Sequence, residues 1–326
     1  MAKKDVTLAI LNGQPVDRFI RPEDSHMVLL PGERNVGGEL QPDGSIVGKD
    51  WFGSEWIAPV IPGPWAGGTI TPGGCPCGDI ADAVSFVPTP EQVRAFDWQG
   101  WAQEVLQGFD PDEQILFVRS MTGFFERMHC LIGFEDALCA FYDDPEAVEE
   151  LFAAILEYKK TVVDCVCEVM KPDIFCFDDD YGTANSTFIS PEMWRQFFPQ
   201  YWKPLVDHVH AKGMKFEMHS CGYITPLVGD FVELNMDILE PVQTHNDLKL
   251  LKEKYGDRMV YRFAIFDKQM DGMYDSEEAA RADLREWYST LAAGGNFFPD
   301  LVPIDDPFYK IQIQFQNEFE KEFFGK

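Results

Sequence analysis

SPEMWRQFFPQYWKPLVDHVHAKGMKFEMHSCG, residues 190–222, contains a complete helix-to-strand unit. Ser190 accepts hydrogen bonds from the free N–H groups of a helix start, and Pro191 has no N–H to leave unpaired there. Gly213 supplies the stop at about Lys212. From Met214 to Ser220 the apolar period changes from helical spacing to strict alternation, the signature of a strand.

The same unit recurs on both sides. Gln114–Arg119 and Asp173–Asp178 read as buried strands, separated by a long helix from Asp144 to Met170. After the quoted stretch come a short helix opened by Thr225-Pro226, a strand Asp237–Pro241, and a helix capped by Asn246. A strand Arg258–Ala264 and a helix from Ser276 to Ala293, closed by Gly294-Gly295, come next. A short strand Asn296–Pro299 and a terminal helix over 307–324 complete the chain. Strands separated by helices pair in parallel through crossovers. The first hundred residues are rich in Gly, Pro and Trp and read as an irregular segment with two strands, near Met27–Leu30 and Trp56–Val60. Those two and the six later strands predict an α/β fold, a (β/α)8 TIM barrel forming one domain over residues 1–326. An open doubly wound sheet is the alternative. It normally carries a glycine-rich phosphate loop, and neither G-x-G-x-x-G nor G-x-x-x-x-G-K-[ST] occurs.

A formal charge of −28 with no clustered Lys or Arg argues against nucleic acid and against an anionic membrane surface. No secretory signal pattern and no membrane-length apolar run occur. The eight cysteines lack the spacing of a disulfide framework, so a cytoplasmic protein is expected.

The chemistry concentrates at residues 217–222. Alternation puts Glu217, His219 and Cys221 on one face of the strand, near its carboxyl end, where barrel enzymes build their sites. Carboxylate, imidazole and thiolate are three zinc-competent donors, and the thiolate favours zinc over magnesium or calcium. Glu217 and Cys221 lie about 13 Å apart on a regular strand at roughly 3.3 Å per residue. Both therefore reach one ion only if the strand bends, or else a donor from another strand replaces one of them. The other reading is a hydrogen-bonded His219–Cys221 core pair.

These residues resemble the uroporphyrinogen-decarboxylase superfamily, and within it the corrinoid-linked methyltransferase branch. The matching pieces run in order: Asp17-Arg18, Asp50-Trp51-Phe52-Gly53, Thr122-Gly123-Phe124-Phe125-Glu126, Asp179-Asp180-Tyr181-Gly182, Ile189-Ser190-Pro191-Glu192, His219-Ser220-Cys221-Gly222, and Asp237 through Gln243. The resemblance implies a barrel with its pocket at the strand ends, often a homodimer. The decarboxylases carry an arginine-rich glycine loop that residues 18–50 do not show. The methyltransferases carry H-x-C zinc ligands, matched by His219 and Cys221. Their coenzyme M branch adds a later cysteine, and Cys221 is the last cysteine here. Glu217 is then the candidate third ligand, with Asp300 or Asp305 behind it.

The resemblance implies a zinc-dependent transfer of a methyl group from a methoxylated, aromatic small molecule to Co(I) of a separate corrinoid protein. Asp179 or Asp180 would orient the substrate or protonate its leaving oxygen, and Gln243 and Asp267 would line the pocket. Aromatic residues make up 14 % of the chain, which fits an aromatic donor and equally fits an ordinary core. A metal-independent decarboxylase, and a methyltransferase for a methylamine- or betaine-like donor, are the alternatives.

Overall fold

The computed structural model describes residues 3–34, 38–59, 68–263, 275–299 and 307–325. Parallel strands β1 (Ser25–Leu29), β6 (Ile115–Ser120), β7 (Ile174–Asp178), β8 (Lys215–His219), β9 (Ile238–Glu240), β10 (Val260–Phe263) and β11 (Phe297–Pro299) form one sheet in that order. Its strands are short and apolar because both faces are covered. The sheet curls. The Arg262 guanidinium on β10 lies 5.0 Å from the centre of the Phe117 ring on β6. Three strands separate the two, so a flat sheet would hold them about 19 Å apart at ~4.8 Å per strand. No ladder joins β11 to β1 among the described residues, so seven of the eight expected strands are accounted for.

The missing one is Trp56–Val60. The observed strand there, β4 (Glu55–Pro59), belongs to a separate antiparallel sheet with β2 (Glu39–Leu40), β3 (Ser45–Lys49) and β5 (Thr69–Ile70). Alternation identifies a strand and leaves its partner open. β4 takes its sequence neighbours β3 and β5, since antiparallel pairing needs no crossover, whereas a parallel partner needs a long one.

The helix Pro145–Val169 shows how a crossover is made. Asp144 caps it, accepting the Ala147 N–H at 3.1 Å, and Pro145 occupies the first turn. Val148, Leu151, Phe152, Ile155, Val162 and Val166 fall on one face at three- and four-residue spacing and are fully buried or nearly so. Each such side chain contributes about 1.5–3 kcal/mol. This outer core, between sheet and helices, also takes most of the aromatic side chains, among them Trp194, Trp202, Phe124, Phe152 and Phe175.

The concave side of the sheet has two levels. Ile115, Phe117, Ile174, Ile238, Val260 and Phe298 form an apolar plug closed by Val6, Ile10 and Leu11 of the helix Lys3–Leu11. Toward the carboxyl ends of the strands the inward positions become Arg119, Cys176, Asp178, Glu217, His219, Glu240 and Arg262. No described helix is long and apolar enough to cross a membrane.

Candidate active site

Register places Asp178, His219 and Glu240 side by side at the last positions of β7, β8 and β9. The His219 imidazole is gripped at Nδ1 by the Glu240 carboxylate, and the Arg119 Nη2 lies 2.6 Å from the same nitrogen. Arg119 is itself held by Asp178, which accepts from Nε at 2.8 and 3.0 Å, and lies 3.6 Å from Glu240. Burial alone would lower the His219 pKa; the Glu240 charge overrides it and raises it well above the ordinary imidazole value. Burial likewise pushes Glu240 up, and His219 and Arg119 reverse this, holding it well below the usual carboxylate range.

With Nδ1 occupied, Nε2 is left facing the loops. Cys221 Sγ lies 3.4 Å from Nε2, and Asp180 Oδ1 lies 3.5 Å from it. These three donor atoms are all within 4.8 Å of one another. Donors bound tetrahedrally to zinc at about 2.0–2.3 Å stand roughly 3.3–3.6 Å apart. The two measured separations have that length, and a carboxylate on the far imidazole nitrogen is the usual outer partner of a metal-binding histidine.

Loop contacts create this convergence. β8 ends at His219, and Gly222 takes a φ of +81°, in the left-handed region. A Cβ there would stand 2.4 Å from the Gly182 carbonyl carbon and oxygen, so the two loops meet backbone to backbone. Tyr223 N–H donates to Thr183 O at 2.7 Å, and Cys221 N–H donates to Asp180 Oδ1 at 2.7 Å. Gln243 Oε1 accepts from Gly222 N–H, and Asn246 accepts from Ile224 N–H and donates to Gly222 O. Asn246 therefore clamps the cysteine loop, and Asp247 caps the next helix in its place, accepting from Leu250 N–H at 3.0 Å.

The structure brings His219 and Cys221 together and adds Asp180; it does not bring Glu217 to them. Glu217 lies one pleat deeper, paired with Arg262 at 2.9 Å and grouped with Cys176 and Glu240. Two residues along a strand are about 6.6 Å apart, and the bend that turns Cys221 back comes after His219, not before it. Asp179 is fully buried and is taken up by the turn after β6. Its carboxylate accepts from the N–H groups of Phe124, Phe125 and Glu126 at 3.0, 3.1 and 2.8 Å, and from Tyr181 OH. It anchors the start of the helix Phe125–Ile132. Burial pushes its pKa up to about 6 against those bonds. Gln243 is a loop clamp. Asp267, Asp300 and Asp305 lie outside the described residues.

Four residues at this end of the sheet received no role from the sequence. Arg119 and Glu240 end the strands β6 and β9 on the inward alternation, a signal that was present. Arg34 and Glu126 form a buried pair at 2.8 Å between the loop after β1 and the turn after β6. No local pattern relates them, because 92 positions separate them.

Beside this pair the His129 ring packs between Phe125 and Phe134, with centroids at 5.3 and 5.5 Å. Burial first, then the Arg34 and Arg127 cations, push its pKa down to about 4. The folded pKa lies below the unfolded value of about 6.5, so its contribution is present above pH ~6.5 and is lost as pH falls toward 4. The loss amounts to roughly 3 kcal/mol. Urea unfolding at pH 7 and pH 4 is expected to show that much less acid destabilisation in His129→Phe. Equal losses in variant and wild type would refute this.

Residues 112–261 match the family model described as Uroporphyrinogen decarboxylase (URO-D). No curated protein matches the chain. Among solved structures, a methyltransferase from Methanosarcina mazei superposes with a TM-score of 0.65 at 15 % identity, covering 98 % of this chain and 99 % of that one. A glycosylated endo-beta-1,4-xylanase from Gloeophyllum trabeum gives a TM-score of 0.39 at 10 % identity, covering 67 % of this chain and 78 % of that one. The first likeness is one of fold along the whole chain. The matched family model covers residues 112–261 and bears the name of the superfamily that the motifs resemble.

Proposed function

We propose, for a chain that carries a Uroporphyrinogen decarboxylase (URO-D) domain over residues 112–261, a zinc-dependent methyltransferase. It passes a methyl group from a methoxylated aromatic small molecule to Co(I) of a separate corrinoid protein. The observation that carries this reading is the convergence of Asp180, His219 and Cys221 on one point at the strand ends, with Glu240 behind the imidazole. The likeness in fold to the Methanosarcina methyltransferase supports it.

Asp180, His219 and Cys221 would hold the ion. When bound, zinc supplies a Lewis acid for the oxygen that gains charge as a methyl ether is cleaved. The protein's own part is orientation. Glu240 keeps the imidazole turned so that Nε2 faces the pocket, and Arg119 offsets the buried Glu240 charge. Gln243, Asn246 and the Gly182–Gly222 contact hold Cys221 against Asp180. The aromatic donor rests on this chemistry and not on composition, since most of the aromatic side chains go to the outer core.

Purified wild-type protein is expected to contain about one zinc per chain by plasma mass spectrometry. It is also expected to demethylate a methoxyarene when a Co(I) corrinoid protein is supplied. A folded protein that stays metal-free in added zinc would defeat this reading. A metal-independent decarboxylase, the activity for which the matched family is named, would then lead.

A further inference from the structure

The Arg34–Glu126 pair has no part in the metal centre or in the loop clamps, yet it stands at the same end of the sheet. Arg34 follows β1, Glu126 follows β6, and Asp180 follows β7, so all three project from carboxyl ends of neighbouring strands. Glu126 is further tied to that corner through its own backbone. Its N–H donates to Asp179 at 2.8 Å, and Asp179 precedes Asp180.

The pair is incompletely satisfied. Glu126 is 5 % exposed; Oε1 accepts from Arg34 Nη2 at 2.8 Å, and Oε2 is buried with no hydrogen-bond partner among the described residues. A lone buried carboxyl oxygen costs about 1–3 kcal/mol unless something meets it. Buried Glu33, Glu217 and Glu240 also keep one unpartnered oxygen among the described residues, so what sets Glu126 apart is its place in the turn after β6, bonded through its N–H to Asp179 beside Asp180.

We infer that Glu126 is the proton donor to the leaving oxygen of the methyl ether, with Arg34 as the cation that receives the resulting carboxylate. The inference rests on the methyl-transfer reading above. The balance is as follows. The electron pair of Co(I) forms the new bond to the methyl carbon, and the C–O bond breaks with its pair staying on oxygen. That oxygen takes the proton of the Glu126 carboxyl, which substrate binding must uncover, and departs as the neutral phenol. The carboxylate left behind is paired with Arg34 and regains a proton from solvent before the next turnover.

The electrostatics fit a group that carries a proton at neutral pH. Burial, with Asp180, Asp179 and Asp178 nearby, raises Glu126 to about 8 although Arg34 opposes this.

A leaving-group series tests the proposal. Methoxyarenes whose phenols span several pKa units would be compared for wild type and Glu126→Gln, each assayed for zinc beforehand. Zinc content is expected to be unchanged. The rate with a poor leaving group is expected to fall about 100- to 10,000-fold, the usual range for general acid catalysis. A nitro-substituted donor, whose phenolate leaves without a proton, should lose less than roughly tenfold. Affinity for the phenol product, measured without the corrinoid protein, should drop about tenfold because a charged acceptor is lost. Arg34→Gln gives a second route if Glu126→Gln does not fold. It should show the same dependence on leaving group at smaller amplitude. An equal loss across the series, or none, with zinc retained would overturn the role of Glu126. Failure of the wild type to demethylate any methoxyarene would instead overturn the methyl-transfer reading, a separate outcome.

Discussion

His219→Ala is expected to fold normally and to bind zinc more than a hundredfold more weakly than wild type. Four-ligand zinc sites are worth about 10–16 kcal/mol, so one donor accounts for roughly 3 kcal/mol. Folding should survive because the variant leaves no bare buried charge: Glu240 stays beside Arg119 at 3.6 Å, and Arg119 keeps Asp178. Cys221→Ser is expected to lose metal to a similar degree, since it removes the thiolate and keeps the shape. Glu240→Gln tests the next layer. It releases Nδ1 without touching a donor atom and is expected to weaken zinc binding about 10- to 100-fold. Competition with a chromophoric chelator reads all three. Glu217→Gln should leave zinc affinity within a few-fold of wild type, as Glu217 pairs with Arg262. Equal losses in Glu217→Gln and His219→Ala would mean that the ligand set is wrong.

The second large effect concerns stability. Asp179→Ala is expected to cost about 4 kcal/mol or more. It strips the acceptor from three backbone N–H groups and from the Tyr181 hydroxyl, all buried, at about 1–3 kcal/mol for each donor left unmet. The relief of an unfavourably buried charge offsets part of this, since burial already pushes the carboxyl up to about 6. Asp179→Asn keeps one acceptor oxygen and should cost about half as much. Urea unfolding of the zinc-loaded proteins measures both. A loss under ~1 kcal/mol accompanied by abolished turnover would return Asp179 to the catalytic role that its motif suggested. The close approach at Gly123, where a Cβ would sit 2.4 Å from the Asp179 side chain, shows how tightly this corner is built.

The difference between Asp179 and Asp180 shows what a motif can and cannot convey. The pair Asp179-Asp180 marks the end of β7, and adjacent residues there diverge. One accepts from the backbone at the start of the neighbouring helix and the other from Cys221 N–H. Which does which depends on the turn after β6, 53 residues away. The pairing of Arg34 with Glu126 was invisible for the same reason.

By itself the sequence determined the seven parallel strands, the helices between them from residue 144 onward and the end of the sheet that carries the chemistry. Each of these follows from local periodicity and from caps such as Asp144 and Ser190. Only the tertiary structure decided that β4 joins its own hairpins and not the parallel sheet, and that Asp180 rather than Glu217 meets His219 and Cys221. It also decided that Arg119 and Glu240 frame the imidazole. The physical reason is common to all three. Alternation sets the face of a side chain, whereas the partner across a curled sheet is set by register and loop contacts between residues far apart in the chain.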